Sequence, residues 1–155
     1  MSKPDCTIAI DVTLSANAGK PSGYQFSYAS DSGVVRADGR IDLRNLDKED
    51  VELVFALQPM GKGSGSSQPT FDPDPKQAIW FAPWPVDLPL PAPCPTSNGH
   101  PNSAFKGFKV EDGGTTLRFI DKNKDKKRYS YALRCIVAPG GKPVVDDPLI
   151  INKIR

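Results

Sequence analysis

Asp121-Lys122-Asn123-Lys124-Asp125 places three oxygen-bearing side chains at alternate positions. A calcium loop of the EF-hand type begins this way, because a hard dication is held by side-chain oxygens of residues one, three and five. The continuation departs from that pattern: Lys126 stands where the loop needs glycine, and Ala132 where it needs a bidentate glutamate. The run therefore reads first as a solvated hairpin loop, since Asp and Asn favour turns by accepting hydrogen bonds from their own backbone. As a cation site it would use Asp121, Asn123 and Asp125. The same stretch carries Lys122, Lys124, Lys126, Lys127 and Arg128, a composition that contacts phosphates in other settings. Two aspartates interrupt it, so a charged loop that discourages strand-edge pairing is the expectation.

Aromatic side chains form the second group. Trp80, Phe81 and Trp84, with Tyr24 and Tyr28, would make a stacking platform for a sugar or peptide if they were exposed. Aromatics in strands are more often buried, and core packing is the competing reading. Trp80 and Trp84 are the residues assigned to a ligand-binding alternative. His100 is the single histidine, so a Ser-His-Asp or Cys-His centre would have to use it. It lies in the turn-like Ser97-Asn98-Gly99-His100-Pro101, and no Gly-x-Ser-x-Gly elbow is present. Cys94 has proline on both sides. Gly61–Ser67 lacks phosphate-loop spacing. Asp72 with Asp74, and Asp146 with Asp147, sit beside prolines in turns. These groups compose no catalytic set and imply no cofactor, and the expected function is non-enzymatic.

The elements that position these residues are strands. Cys6, Ile8, Ile10, Val12 and Leu14 alternate with Thr7, Ala9, Asp11 and Thr13, the period-two pattern of a half-buried strand. Tyr24, Phe26 and Tyr28 repeat it, as do Val51, Leu53, Phe55 and Leu57, and later Tyr129 to Val137. Asp38-Gly39 between Val34–Ala37 and Arg40–Leu43 predicts a hairpin with a type I′ turn. Asp112-Gly113-Gly114 predicts a three-residue hairpin loop between Ala104–Glu111 and Thr115–Ile120. The last third reads as a four-strand meander ending in Val144-Val145 and Leu149-Ile150-Ile151. Residues 59–104 form a Pro/Gly-rich insertion outside the sheets, with Ile79-Trp80-Phe81 as one short strand and seven prolines between 83 and 101.

These patterns predict a single all-β domain over residues 1–155, an antiparallel β-sandwich of about eight or nine strands. The 155 residues suffice for one core, and 16 prolines and 13 glycines argue against long helices. A net charge of +2 gives no drive toward nucleic acid or an anionic membrane. No apolar run is long enough to span a bilayer as a helix, and Met1–Asp5 does not open a signal peptide. Three distant cysteines, Cys6, Cys94 and Cys135, suit buried thiols in a reducing compartment, and a cytoplasmic location is expected.

The loop Asp121-x-Asn123-x-Asp125, the strand Tyr129-x-Tyr131-x-Leu133 and the closing Asp147-Pro148-x-Ile150-Ile151-Asn152 resemble the DP-EP type of small bacterial proteins of unknown function. More loosely, they resemble inclusion-body proteins of the PixA/AidA kind. The likeness covers residues 115–152. It implies an immunoglobulin-like sandwich and assigns no functional residues. The resulting expectation is an interaction or self-assembly module, forming homo-oligomers, with no nucleic-acid or membrane partner. The alternative is a lectin-like or small-ligand module using Trp80 and Trp84, with the small molecule or glycan unknown.

Overall fold

The computed structural model describes residues 6–16, 19, 24–46, 48–60, 68–84, 105–123, 128–137, 143–146 and 149–151. It is an all-β structure. The alternating runs become β1 (Cys6–Ala16), β2 (Tyr24–Ala29), β3 (Ile41–Asp42) and β4 (Val51–Leu57). After these come β5 (Thr70–Phe71), the single helical turn α1 (Pro75–Ala78) and β6 (Ile79–Trp84). The C-terminal part supplies β7 (Phe105–Glu111), β8 (Thr116–Asp121), β9 (Arg128–Ile136), β10 (Pro143–Asp146) and β11 (Leu149–Ile151). No helix among the described residues is long and apolar enough to cross a membrane.

Five strands form the first sheet, in the order β2-β1-β4-β8-β7. The second is organised on β9. Antiparallel β10 and β11 lie along one side of β9, β5 and β6 along the other, and β3 continues the sheet beyond β11. The arrangement is mixed, not wholly antiparallel. β1 runs parallel to β4, with Cys6 opposite Val51 and Val12 opposite Leu57, and β3 runs parallel to β11. Parallel neighbours arise because the chain leaves the first sheet after β2, contributes β3 to the second, and returns beside β1 in the same direction. Such a crossover needs a long connection, which residues 30–50 provide.

Two further expectations are corrected. The last third is not a meander, because β8 pairs with β4 and β7 while β9 belongs to the other sheet. Residues 59–104 are not wholly outside the sheets, since β5 and β6 both pair with β9. Pro83 lies within β6, opposite Tyr129. Proline is tolerated there because β6 has a strand neighbour on one side only among the described residues, so no ladder bond needs its missing N–H. The proline-rich part 85–104 lies outside the described residues.

The inward positions of both sheets share one hydrophobic cluster. Ile8, Ile10, Val12, Leu14, Val51, Leu53, Phe55 and Leu57 are buried as their alternation requires, and Ile41, Phe71, Ile79, Tyr131, Leu133 and Cys135 join them from the second sheet. Phe55 sits at the centre. Its ring stacks on Phe119 at 5.9 Å and meets Tyr131 of the second sheet at 5.8 Å. The Tyr131 hydroxyl, which would be costly to bury unpaired, donates to the carbonyl of Gly39. Along one side, Tyr28 N donates to Ala37 O at 3.0 Å, tying β2 to the segment that leads into β3.

The two ends of the first sheet differ. β7 has a bulge between Lys106 and Lys109, with Gly107 at φ 71°. A register break and lysines on an outer strand discourage pairing with another chain. β2, Tyr24-Gln25-Phe26-Ser27-Tyr28-Ala29, carries no charge, no proline and no register shift against β1.

Candidate functional site

The segment between Ser32 and Leu46 builds the candidate site. Arg36 N donates to Arg40 O at 2.8 Å and Gly39 N to Arg36 O at 2.9 Å, closing a tight connection at Ala37-Asp38-Gly39. Asp38 Oδ1 accepts the Arg40 N–H at 3.0 Å. Gly39 has φ 93°, whereas Asp38 is not in the left-handed region. The turn is therefore not type I′, which needs both central residues there. It is a three-residue loop in which glycine alone takes the left-handed position. Asp112-Gly113-Gly114 also differs from expectation. Glu111 pairs with Thr116, so the connection has four residues, and φ is positive at Asp112, Gly113 and Gly114.

Val35 bridges Ile41, and Asp42 N donates to Val34 O at 2.9 Å. Ile41 is fully buried. Alternation then puts Val34, Arg36, Arg40 and Asp42 on the opposite face of this small hairpin. Of these, Val34, Arg36 and Asp42 border a cleft of about 300 Å³, whose lining is completed by Gly33, Asn45 and Leu46. Val34 and Leu46 also pack against the core, so the aliphatic walls are anchored. Arg36 and Asn45 are exposed.

Asp42 is the carboxylate of this lining. Arg44 grips it at two points, Nε to Oδ1 at 2.9 Å and Nη2 to Oδ2 at 2.6 Å, and the Arg44 backbone N–H adds a bond of 3.1 Å to Oδ1. The Arg44 hydrogen bonds hold the Asp42 carboxyl below its ordinary range, against the opposing effect of burial, and Arg40 acts in the same direction at longer range. The same pairing raises Arg44. A carboxylate held in this way is a poor proton acceptor near neutral pH. The cleft lining offers one guanidinium from Arg36, the engaged Asp42 carboxylate, the Asn45 amide and two aliphatic walls.

Behind the cleft, Asp121 and Asn123 are fully buried, not solvated as the loop composition predicts. Asp121 Oδ1 accepts the Asn123 backbone N–H at 2.8 Å, and Asn123 takes φ 54°. The Asn123 amide nitrogen donates to Lys48 O at 2.8 Å and Leu46 O at 3.4 Å. These bonds fix Leu46 and Lys48, and Asp50 N→Lys122 O at 3.3 Å holds the start of β4 to the same loop. The two residues thus join the loop after β8 to the wall of the cleft. Asp125, the third residue of the cation reading, lies outside the described residues. Among the described residues no three His, Cys, Asp or Glu side chains stand together as metal ligands.

Trp80 and Trp84 fall in β6 opposite Ala132 and Arg128, and their side chains lie outside the described residues. Tyr28 is buried and Tyr24 half-buried, so Tyr28 serves the core and not an exposed platform. Cys94 and His100 lie outside the described residues. Cys6 is half-buried and Cys135 is buried. Sequence reasoning passed over Arg36, Arg40, Asp42, Arg44 and Asn45. The available signal was the tight turn at Asp38-Gly39, which sets Arg36 opposite Arg40. No protein-family model matches the chain, and no curated protein is similar to it.

Proposed function

We propose that this chain is a non-enzymatic interaction module that self-associates through the β2 edge of its five-stranded sheet. The contrast between the two outer strands of that sheet carries the reading. β7 has lysines and a bulge, the devices that keep an edge from pairing, whereas β2 is neutral, regular and six residues long. Tyr28 N is tied to Ala37 O, so the β2 edge is not offered to a copy at that position. A neutral strand meets its own copy without charge repulsion, as a two-fold contact requires.

The two sheets over one core support an immunoglobulin-like β-sandwich. Among the described residues, β5 with β6, and β10 with β11, each continue one another along β9, so eleven strand segments occupy nine strand positions. That architecture agrees with the likeness to uncharacterised bacterial sandwich proteins, and the non-catalytic reading rests on the lack of a catalytic set in the sequence. Sedimentation equilibrium of the wild-type chain and Ser27→Lys tests the edge. Ser27 is exposed at the middle of β2, so a lysine there adds the missing edge charge without entering the core. The wild type should associate with rising concentration and the variant should not. A wild type that stays monomeric, or a variant that associates equally, overturns the proposal.

A further inference from the structure

We propose that Asp112-Gly113 is a site of spontaneous covalent modification, at which the aspartyl bond rearranges to isoaspartate. Two Asp-Gly pairs occur in the chain, Asp38-Gly39 and Asp112-Gly113, and both form tight connections. Glycine after aspartate favours the reaction in both, because no Cβ shields the attacking nitrogen. The structure separates them. Gly39 is buried, and its N–H is bonded to Arg36 O at 2.9 Å. Asp38 holds its own carboxylate to the Arg40 N–H at 3.0 Å. That turn must open before the nitrogen can reach the carboxyl carbon. Asp112 and Gly113 are exposed, and a Cβ built on Gly113 would meet nothing within 4 Å, so the peptide between them has room to turn. Gly113 stands in the first turn of a 3-10 segment, where an N–H has no acceptor within the segment.

The carbonyl of the same peptide unit is engaged in a way that favours the reaction. Asp112 O accepts from Thr115 Oγ1 at 2.8 Å and from Thr115 N at 3.3 Å. When the Gly113 nitrogen gives up its proton, the negative charge spreads onto that oxygen. Two donors already aimed at it stabilise the anion, as donors preset around developing charge do in catalysis. The nitrogen then attacks Asp112 Cγ. An N–Cγ bond forms, the Cγ–OH bond of the carboxylic acid breaks, and the hydroxyl leaves as water with the proton that came off the nitrogen. Water then adds to the cyclic imide. Cleavage of the N–Cγ bond restores aspartate, whereas cleavage between the nitrogen and the main-chain carbonyl carbon leaves the chain linked through Cγ. Water is the only reagent, and no atom is oxidised or reduced. The product adds a backbone carbon to a connection whose Gly114 approaches Thr70 so closely that a Cβ there would lie 3.1 Å from Thr70 Cβ. The rearrangement therefore bears on β5 and not on the β2 edge.

Incubation of the full chain in oxygen-18 water, at neutral pH and body temperature for several weeks, tests the proposal. Each passage through the imide takes up a solvent oxygen, and electron-transfer fragmentation of the tryptic peptides Val110–Arg118 and Ala37–Arg40 reads the label and the isoaspartate at each site. The urea-unfolded chain, in which neither turn exists, supplies the reference rate for each pair. Relative to that reference, Asp112 should convert about tenfold or more faster than Asp38 in the native chain, because only Asp38 waits for local opening. Equal relative rates, or no label at Asp112 while the unfolded chain converts, overturn the proposal. Thr115→Val removes the hydroxyl donor and should slow Asp112 by about threefold or more, the worth of one hydrogen bond, with Asp38 unchanged. Thr115→Ser keeps the hydroxyl and should keep the wild-type rate. A valine variant as fast as the wild type, or a serine variant as slow as valine, overturns the role given to the Thr115 hydroxyl.

Discussion

Replacing Asn123 should loosen the joint between the two loops that back the cleft. Three effects add in Asn123→Ala. The amide donates to Lys48 O and, at longer range, to Leu46 O. Losing hydrogen bonds of this kind costs about 1 kcal/mol for the good one and less for the long one, and the partly buried carbonyl left behind adds about 1 kcal/mol. Alanine must also adopt φ 54°, where its Cβ crowds the following carbonyl at about 1 kcal/mol. The sum is about 3 kcal/mol, a large part of the ~5–15 kcal/mol that holds a typical domain together. Asn123→Gly loses the same bonds but not the backbone fit, so it should be about 1 kcal/mol more stable than Asn123→Ala. Urea unfolding measures both, with an unchanged slope showing that stability alone has moved. Amide shifts of Asn45 and Leu46 should change in both variants, since these residues line the cleft. A loss below about 1 kcal/mol, or a glycine variant no better than alanine, would refute the account of this joint.

Two other perturbations follow from geometry. Gly114 has φ 95°, and a Cβ there would lie 3.1 Å from Thr70 Cβ, so Gly114→Ala should destabilise by about 1–2 kcal/mol, more than Gly33→Ala, which meets nothing within 4 Å. Thermal unfolding of the pair checks the order. Asp42 gives a pH dependence whose sign is fixed by its lowered folded-state pKa. The unfolded chain takes up the proton first as pH falls, so the Asp42 contribution is full above the ordinary value of 3.8 and disappears as pH drops through the folded value. The stability gap between wild type and Asp42→Asn should therefore be widest near neutrality and shrink in acid. A gap that is constant with pH would contradict the ion pair.

Much of the fold was legible because period-two alternation states which side chains must leave water. Ile8 to Leu14 and Val51 to Leu57 are buried at the alternate positions the pattern demands. Alternation does not state which strand lies beside which. β1 beside β4 in parallel, and β8 and β9 in different sheets, depend on where the connections travel, and a local pattern carries no such information. β5 was missed because two residues cannot show a period, and β6 was cut short because Pro83 reads as a breaker unless the strand lies at an edge.

The candidate site was harder to read. Arg36, Arg40 and Arg44 look like ordinary polar positions until the turn at Asp38-Gly39 folds the first against the second and Asp42 is taken by the third. Asp121 and Asn123 drew notice as oxygen ligands. Their polarity instead serves buried backbone, with Asn123 supplying both the left-handed turn and the donors to the neighbouring loop.

The central claim, association through the uncharged β2 edge, is tested most directly by light scattering on the wild-type chain over a wide concentration range. The account predicts a mass that rises from the 16.8 kDa of one chain toward twice that value, and a Ser27→Lys chain that remains at the monomer mass throughout. A wild-type mass fixed at the monomer value at every concentration would contradict it.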